Sequence, residues 1–172
     1  MKKLYFIASI LFLGITTATA QSIKLGGKIG VNFSDLESVN ATGGNKTGFH
    51  VGGLLELRVL DNLALQPELL YSTQGSKNLK LEYLSVPVLL KFYMVSDTFS
   101  FELGPQFSVL INDDAPKTFD SKTADLATVF GLGYNLTDTI FVQGRYVYGV
   151  SEISKNAEIK NRVIQFSVGL RF

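Results

Sequence analysis

The sequence predicts an all-β protein, an eight-stranded antiparallel transmembrane β-barrel preceded by an N-terminal signal peptide. Apolar and polar residues alternate with a period of two in eight separate segments. Each segment offers about 9–11 residues, the length that a tilted strand needs to cross a bilayer. Long and short connections alternate between the segments. After residue 20, no run comes near the roughly eighteen apolar residues of a membrane-spanning helix.

The first element is an export signal over residues 1–20. Lys2 and Lys3 form its positive region, residues 4–15 its short apolar core, and Ala18-Thr19-Ala20 its small-residue cleavage site. The core is too short to span a bilayer of about 30 Å, which argues against an N-terminal anchor. We therefore expect cleavage after Ala20, leaving residues 21–172 as one barrel domain.

The composition excludes several kinds of site. The whole chain has 16 basic and 15 acidic residues, and removal of Lys2 and Lys3 leaves 14 basic residues and a net charge of −1. A nucleic-acid partner would require a basic surface, so we expect none. Cys is absent, which excludes disulfides and thiolate metal sites. We expect no cofactor and no metal ion.

The first four segments differ in which positions are apolar. In the first three, odd positions carry the apolar residues and some glycines, as from Leu25 to Phe33 and from Phe49 to Val59. The fourth reverses the parity, with Leu84 to Phe92 apolar at even positions. Strict alternation places these side chains on one face of each strand. The four segments span residues 24–34, 49–59, 63–72 and 83–92.

The last four segments follow the same rule. The fifth is the clearest, because Phe99, Phe101 and Leu103 alternate with polar or small residues. The sixth is weaker, since Val129 interrupts its small-residue face. The seventh and eighth are regular, and the eighth ends at Phe172. These segments span residues 99–109, 125–134, 140–149 and 163–172.

Connections of two kinds join the segments. The tight ones are rich in Asp and Asn, which favour turns. Alternation of short and long connections is typical of outer-membrane barrels, with short periplasmic turns and longer external loops. Because hydrocarbon tolerates no open sheet edge, we expect strand one to pair with strand eight. The turns are residues 60–62, 94–97 and 135–138, and the long connections are residues 35–48, 75–82, 110–124 and 150–162.

The orientation of the two faces separates a membrane barrel from a soluble, lipocalin-like barrel, the alternative fold. The interior of eight strands is narrow and filled by side chains, so glycines and paired charges fit there. We expect the lumen charges to be Lys28, Glu56, Arg58, Glu68, Lys91, Glu102, Arg145 and Arg171. Aromatic residues near the segment ends predict two girdles around a lipid-facing band. The external girdle would hold Phe33, Phe49, Tyr71, Tyr146 and Tyr148, and the periplasmic one Phe92, Phe99, Tyr134 and Phe172.

Three prolines are difficult to place in the predicted strands. Pro67, Pro87 and Pro105 lie inside predicted strands, although proline cannot donate to a ladder. We expect a local bulge or a position at the barrel rim for each.

Two stretches carry a family resemblance. Residues 163–172 resemble the terminal strand that barrel assembly machinery recognises, with Phe166, Val168, Leu170 and Phe172 as its alternating apolar positions. Residues 82–92, together with residues 26–32 and Arg145-Tyr146, resemble the PorT-type outer-membrane barrels of Bacteroidetes. Their "Y-L-x-I-P-L-L-L-K-Y" block has Val86 here in place of the usual Ile. The resemblance implies residence in the bacterial outer membrane, with outer-membrane lipid, lipopolysaccharide and the assembly machinery as partners.

We interpret the residues that could act in catalysis as structural residues. His50 is the only histidine, and the sequence assigns it no Ser or Asp partner, so we interpret it as a polar residue at the external mouth. Glu56, Glu68 and Glu102 could suggest paired catalytic carboxylates. We interpret them as partners of Arg58, Lys28 and Arg145 in one lumen network, because buried charges are kept paired.

These observations predict a small outer-membrane barrel with no catalytic activity. Its role would be structural, or adhesion and recognition through external loops. The resemblance suggests an accessory subunit of an envelope secretion or assembly complex as the alternative. A lipid-A-modifying barrel enzyme is a further alternative.

Overall fold

Eight strands pair antiparallel in chain order and close on themselves in the computed structural model. The structure describes residues 22–37, 46–76, 79–113, 124–150 and 160–172. The strands are β1 Ser22–Glu37, β2 Lys46–Leu60, β3 Leu63–Ser76, β4 Leu79–Met94, β5 Phe99–Asp113, β6 Ala124–Asn135, β7 Ile140–Gly149 and β8 Lys160–Arg171. The predicted fold class is confirmed. The predicted signal over residues 1–20 lies outside the described residues, among which no helix is long and apolar enough to cross a membrane.

Closure joins β1 to β8 as predicted. Leu25 and Phe172 exchange two backbone hydrogen bonds, with N···O distances of 3.1 and 2.8 Å. One row of register partners runs round the barrel through Ile23, Leu57, Leu65, Leu90, Leu103, Phe130, Tyr146, Ile164 and Phe33. The row begins at Ile23 and returns at Phe33, ten residues further along β1. A stagger of this kind tilts the strands and sets the width of the barrel.

The apolar face points outward. Phe101 and Phe166 are 38% and 55% exposed, whereas Glu68 and Arg145 are 4% and 3% exposed. The same alternation of outward and inward side chains holds in the central part of each of the eight strands. The predicted orientation is confirmed, since a soluble barrel would show the reverse.

Aromatic side chains meet near both ends of the outer face. The rings of Phe49 and Tyr71 lie 5.9 Å apart toward the end with long connections, and those of Phe99 and Tyr134 lie 4.9 Å apart toward the other end. Phe172 is largely exposed at that second end. This arrangement agrees with two girdles of aromatic residues around an apolar band.

The strands extend further at the external end than the pattern predicts. β3 ends at Ser76 and β4 begins at Leu79, so the expected long connection over residues 75–82 is wrong. β1 to β5 each have 14 to 16 residues, more than a membrane crossing requires. Beyond the bilayer, water can contact both faces of a strand, so a strand there need not continue the apolar alternation of its membrane-spanning part.

The three short turns occur where they were predicted, at residues 61–62, 95–98 and 136–139. The turn after β4 is unusual, because Val95, Ser96 and Asp97 have φ angles of 52°, 51° and 68°. Left-handed backbone is unfavourable for a β-branched residue such as Val95. Thr98 N–H donates to the Val95 carbonyl at 3.1 Å, and the Asn135 side chain donates to the Asp97 carbonyl. One hydrogen bond within the turn and one from Asn135 at the end of β6 therefore hold this turn.

The prolines lie neither at bulges nor at the rim, so that expectation is wrong. Each proline keeps register partners on one neighbouring strand and faces an interrupted ladder on the other. The β2–β3 ladder, for example, skips from Leu54–Glu68 to Leu57–Leu65 without a register shift, and Pro67 lies in this gap. Pro87 and Pro105 lie in equivalent gaps of the β3–β4 and β4–β5 ladders. A ladder with a local gap accommodates the missing N–H without bending the strand.

Inward glycines allow close approach of neighbouring backbones. A Cβ on Gly52 would collide with the Leu69 carbonyl and lie 2.8 Å from Leu70 Cα, whereas one on Gly53, which faces outward, would come no closer than 3.7 Å to Gly26 O. We therefore expect Gly52→Ala to lower the free energy of unfolding by about 1–3 kcal/mol. The adjacent Gly53→Ala should change it by less than about 0.5 kcal/mol. Urea titration of both variants in lipid vesicles measures the difference, and equal values would contradict the close approach at Gly52.

Candidate functional site in the barrel interior

Among the residues that the structure describes, seven charged side chains are buried inside the barrel. They are Lys28, Glu56, Glu68, Lys91, Glu102, Arg145 and Arg171. All seven belong to the set predicted for the lumen, and the structure brings them together. Arg58, the eighth residue of that set, also faces inward but is only half-buried at the periplasmic end.

Arg145 is the centre of this group. Its Nη1 and Nη2 donate to the two carboxylate oxygens of Glu68 at 2.8 and 2.7 Å, and its Nε donates to Glu102 at 2.9 Å. Lys28 Nζ lies 2.8 Å from Glu68 Oε2. Such a bidentate arginine–carboxylate pair is a strong, directional interaction.

The remaining charges extend the network toward the periplasmic end. Lys91 Nζ lies 3.5 Å from Glu102 and 3.4 Å from Glu56, and Arg171 Nη1 lies 2.7 Å from Glu56. The result is an ion-pair chain of alternating sign: Lys28, Glu68, Arg145, Glu102, Lys91, Glu56 and Arg171. Four cations and three carboxylates leave one excess positive charge. Because the chain both begins and ends with a cation, every carboxylate lies between two cations.

One expected member of this network lies elsewhere. Arg58 Nη1 donates to Asp97 Oδ2 at 2.7 Å and to the Asp61 carbonyl at 2.8 Å, and its guanidinium lies 4.2 Å from the centre of the Tyr93 ring. Glu56 is paired with Lys91 and Arg171 instead. The expectation that Arg58 belongs to the lumen network is wrong, because Arg58 lies beside the periplasmic turns that supply its acceptors.

A second polar cluster surrounds His50. His50 Nδ1 lies 2.7 Å from Asn32 Oδ1, and His50 Nε2 lies 2.8 Å from Ser167 Oγ. Gly30 is the register partner of both His50 and Ser167, and a Cβ there would come within 2.6 Å of His50 Nε2. The absent side chain of Gly30 therefore allows His50 and Ser167 to meet.

The order Ser167, His50, Asn32 matches that of a nucleophile, a base and an orienting group. His50 and Asn32 are fully buried, however, so the expected position of His50 at the external mouth is wrong. The Asn32 amide nitrogen also donates to Ser72 Oγ and the Thr73 carbonyl, both at 2.9 Å. These bonds pair the His50 and Asn32 side chains with each other and with neighbouring groups, so the cluster forms a hydrogen-bonded network inside the barrel.

The interior also contains an apolar cluster that the alternation did not predict. Leu89, Ala127, Val129, Val147 and Val163 pack together on strands β4, β6, β7 and β8. Inward side chains of all eight strands thus fill the lumen, as expected for a narrow barrel. Within the described ranges, no group of three or more His, Asp or Glu side chains could hold a metal ion.

The C-terminal residues lie on the opposite face. Phe166, Val168, Leu170 and Phe172 are exposed on the outer side of the last strand. Their recognition by barrel assembly machinery stays a prediction.

Known proteins share this architecture. Neisserial surface protein A superimposes with a TM-score of 0.64 and 16% sequence identity, covering 86% of this chain and 97% of that chain. Ail, the attachment invasion locus protein of Yersinia pestis, in complex with the heparin analogue sucrose octasulfate, has a TM-score of 0.59 and 16% identity, covering 88% and 99%. At this identity the likeness shows the fold alone. No curated protein sequence matches the chain.

The family is shown by the sequence itself. The model of the outer membrane protein beta-barrel domain matches residues 6–172, nearly the whole chain. The protein is a small barrel of the bacterial outer membrane, and it belongs to the outer membrane protein beta-barrel domain family.

Proposed function

We propose that this barrel acts in adhesion or recognition at the cell surface through its external connections, and that it catalyses no reaction. The observation that carries the proposal is the filled interior. Glu68, Arg145 and Glu102 are buried and engaged with one another, so they are unavailable to a substrate. With the interior filled, other molecules meet the barrel at its outer surface and its ends, and the external end is the one that faces the surroundings of the cell.

The long strands favour this role. β1 to β5 have 14 to 16 residues each, more than the length needed to cross the bilayer. The connecting residues 38–45, 114–123 and 151–159 are rich in Ser, Thr, Asn and charges of both signs. Such side chains form hydrogen bonds and ion pairs with saccharide or protein surfaces. Binding residues commonly lie on loops held by a rigid scaffold.

The proposal includes a route to the membrane. A signal cleaved after Ala20 would export the chain, and assembly machinery would recognise Phe166, Val168, Leu170 and Phe172. Outer-membrane lipid would then cover the apolar wall, and lipopolysaccharide would surround the external rim.

Replacement of the connections tests the proposal. Residues 38–45, 114–123 and 151–159 are each replaced by a short Gly-Ser linker, and cells carrying each variant are tested for attachment to arrayed glycans and matrix proteins. We expect attachment above the deletion strain for the wild type, and loss of most of it for at least one variant. The heat-dependent gel shift of each variant shows that the barrel still folds. Attachment equal to the deletion strain for the wild type would contradict the proposal.

A role as accessory subunit of an envelope secretion or assembly complex is the second candidate. It is favoured by the PorT-like block over residues 82–92, which lies within β4. Mild crosslinking in cells, followed by purification of a tagged chain, separates the two roles. A large envelope complex recovered in fixed proportion would favour the accessory role.

A lipid-A-modifying enzyme is the third candidate, and the Ser167–His50–Asn32 geometry is its only support. Deletion should leave the mass spectrum of lipid A unchanged if the buried cluster is structural. A changed spectrum that Ser167→Ala reproduces would establish the enzyme.

A further inference from the structure

A polar pocket of about 230 Å³ lies at the periplasmic mouth of the barrel. A single water needs only about 10–15 Å³ of such space, so the pocket has room for a small organic molecule. The strands contribute three cations to its wall, and two turns contribute carboxylates and a hydroxyl group. The lining includes Lys24, Arg58, Arg171, Asp97, Thr98 and Asp138.

Two of the three cations are already neutralised. Arg58 Nη1 lies 2.7 Å from Asp97 Oδ2. Arg171 Nη1 lies 2.7 Å from the buried Glu56 carboxylate, so the Arg171 guanidinium is directed into the lumen and closes the pocket on that side. These two pairs add no net charge to the pocket.

One cation and one carboxylate of the lining have no such partner. Lys24 is the register partner of Glu56, but the Glu56 carboxylate already lies between Lys91 and Arg171. Asp138 is exposed in the turn after β6. Neither Lys24 nor Asp138 forms an ion pair with the other or with any further residue in the described ranges. The pocket therefore presents two opposite charges, each open to a counter-ion.

The two turns beside the pocket are held by hydrogen bonds. Residues 95–97 have left-handed backbone, and the Asn135 side chain donates to a carbonyl of this turn. Next to Asp138, the Thr139 carbonyl accepts a hydrogen bond from the Arg171 N–H at 2.9 Å. A preformed pocket of this sort requires little ordering when it binds a ligand.

We infer that this pocket binds a zwitterionic molecule, in which a short chain joins an ammonium group to a carboxylate. The carboxylate binds beside Lys24 and the ammonium beside Asp138. An ion of single sign gains one of these contacts and is repelled by the other charge, so the neutral lining favours neither sign. A zwitterion gains both, and the second contact forms at high effective concentration once the first is made. Because short turns mark the periplasmic end, the ligand is either a free amino acid or the end group of a periplasmic peptide.

Backbone amide NMR tests the inference. The ¹⁵N-labelled protein, refolded in the uncharged detergent dodecyl maltoside, is titrated with glycine, β-alanine, γ-aminobutyrate and Nα-acetyllysine, and separately with acetate and methylammonium. We expect saturable shifts of the Thr98 and Asp138 amide signals with at least one zwitterion, and binding of both single-charge ions that is weaker by about fivefold or more. The carboxylate and side-chain ammonium of Nα-acetyllysine represent the end of a peptide. Its tighter binding identifies a peptide end as the source, and otherwise the source is a free amino acid.

Substitutions of the two unpaired charges give a sharper test. Lys24→Gln leaves the lining with an excess negative charge, and Asp138→Asn leaves it with an excess positive charge. Each should weaken binding of the zwitterion roughly fivefold, and Lys24→Gln should then prefer methylammonium whereas Asp138→Asn should prefer acetate. The heat-dependent gel shift verifies that both variants fold.

The matched control removes a carboxylate from the same end of the barrel. Asp61 lies in the turn after β2 and does not line the pocket, so Asp61→Asn should change the affinity by less than about twofold, because solvent and salt screen its charge. Absence of a saturable shift with every zwitterion would overturn the inference. Equal affinity for zwitterions and single-charge ions, or unchanged affinity in either pocket variant, would overturn it as well.

Discussion

Glu68→Ala is expected to lower the free energy of unfolding by about 3–5 kcal/mol, the usual result of removing one partner from a buried ion pair. Glu68 accepts two bonds from Arg145 and lies 2.8 Å from Lys28. Without it, Lys28 has no carboxylate beside it, and Arg145 retains only Glu102. Water cannot readily reach the cations in a filled lumen, so their charges stay uncompensated. Urea titration of the refolded protein in phosphocholine vesicles, followed by the heat-dependent gel shift, measures the loss.

Two further variants separate lost pairing from lost packing. Asp138→Ala removes an exposed carboxylate and should change the free energy of unfolding by less than about 0.5 kcal/mol. The double replacement Lys28→Met with Glu68→Met leaves the shorter alternating chain from Arg145 to Arg171 intact. It should therefore cost less than Glu68→Ala alone, although it removes two charged residues. A loss below about 1 kcal/mol for Glu68→Ala would show that the network does not stabilise the barrel.

The orientation of the strands could be predicted from the sequence because one constraint applies to every residue. Successive side chains on a strand point to opposite faces, so a single parity assigns a whole segment. Phe101 and Glu102 are neighbours in sequence, and parity alone places one in lipid and the other in the lumen. The short turns could also be predicted from the sequence, because Asp61-Asn62 and the residues near Asp138 are of types that favour turns.

The partners inside the lumen could not be predicted in this way. Which cation reaches Glu56 depends on the stagger of all eight strands, and no local pattern contains that quantity. Arg58 and Arg171 both face inward near the periplasmic end, yet only Arg171 meets Glu56. The contact of His50 with Ser167 likewise depends on the register of β1 with β2 and on its register with β8, since Gly30 of β1 lies opposite both residues.

The interrupted ladders show a different limit. Proline inside a strand normally indicates an edge or a bulge, and a closed barrel has no edge. Pro67 instead keeps Val88 as its partner on β4 while the ladder to β2 is interrupted. The preference of proline for edge strands applies to sheets that have an edge. In this barrel the register on both sides of the gap holds the strand.

Phe130→Arg is expected to lower the free energy of unfolding by about 2–4 kcal/mol, because arginine on the lipid face is costly near the middle of the bilayer. Phe130 is 44% exposed and lies near the middle of β6. Its side chain therefore faces the centre of the apolar band, where an arginine would have no anion and little water to contact.

The matched control places the same charge at the boundary of the membrane. Leu136 is exposed in the turn after β6, and Leu136→Arg should cost about 0–1 kcal/mol because the guanidinium can reach water there. Urea titration of both variants in vesicles gives the difference between them. Both substitutions add the same side chain to an exposed apolar position, so the difference between them reports mainly on depth in the bilayer. Equal losses at residues 130 and 136 would mean that the outward face of β6 does not lie in hydrocarbon.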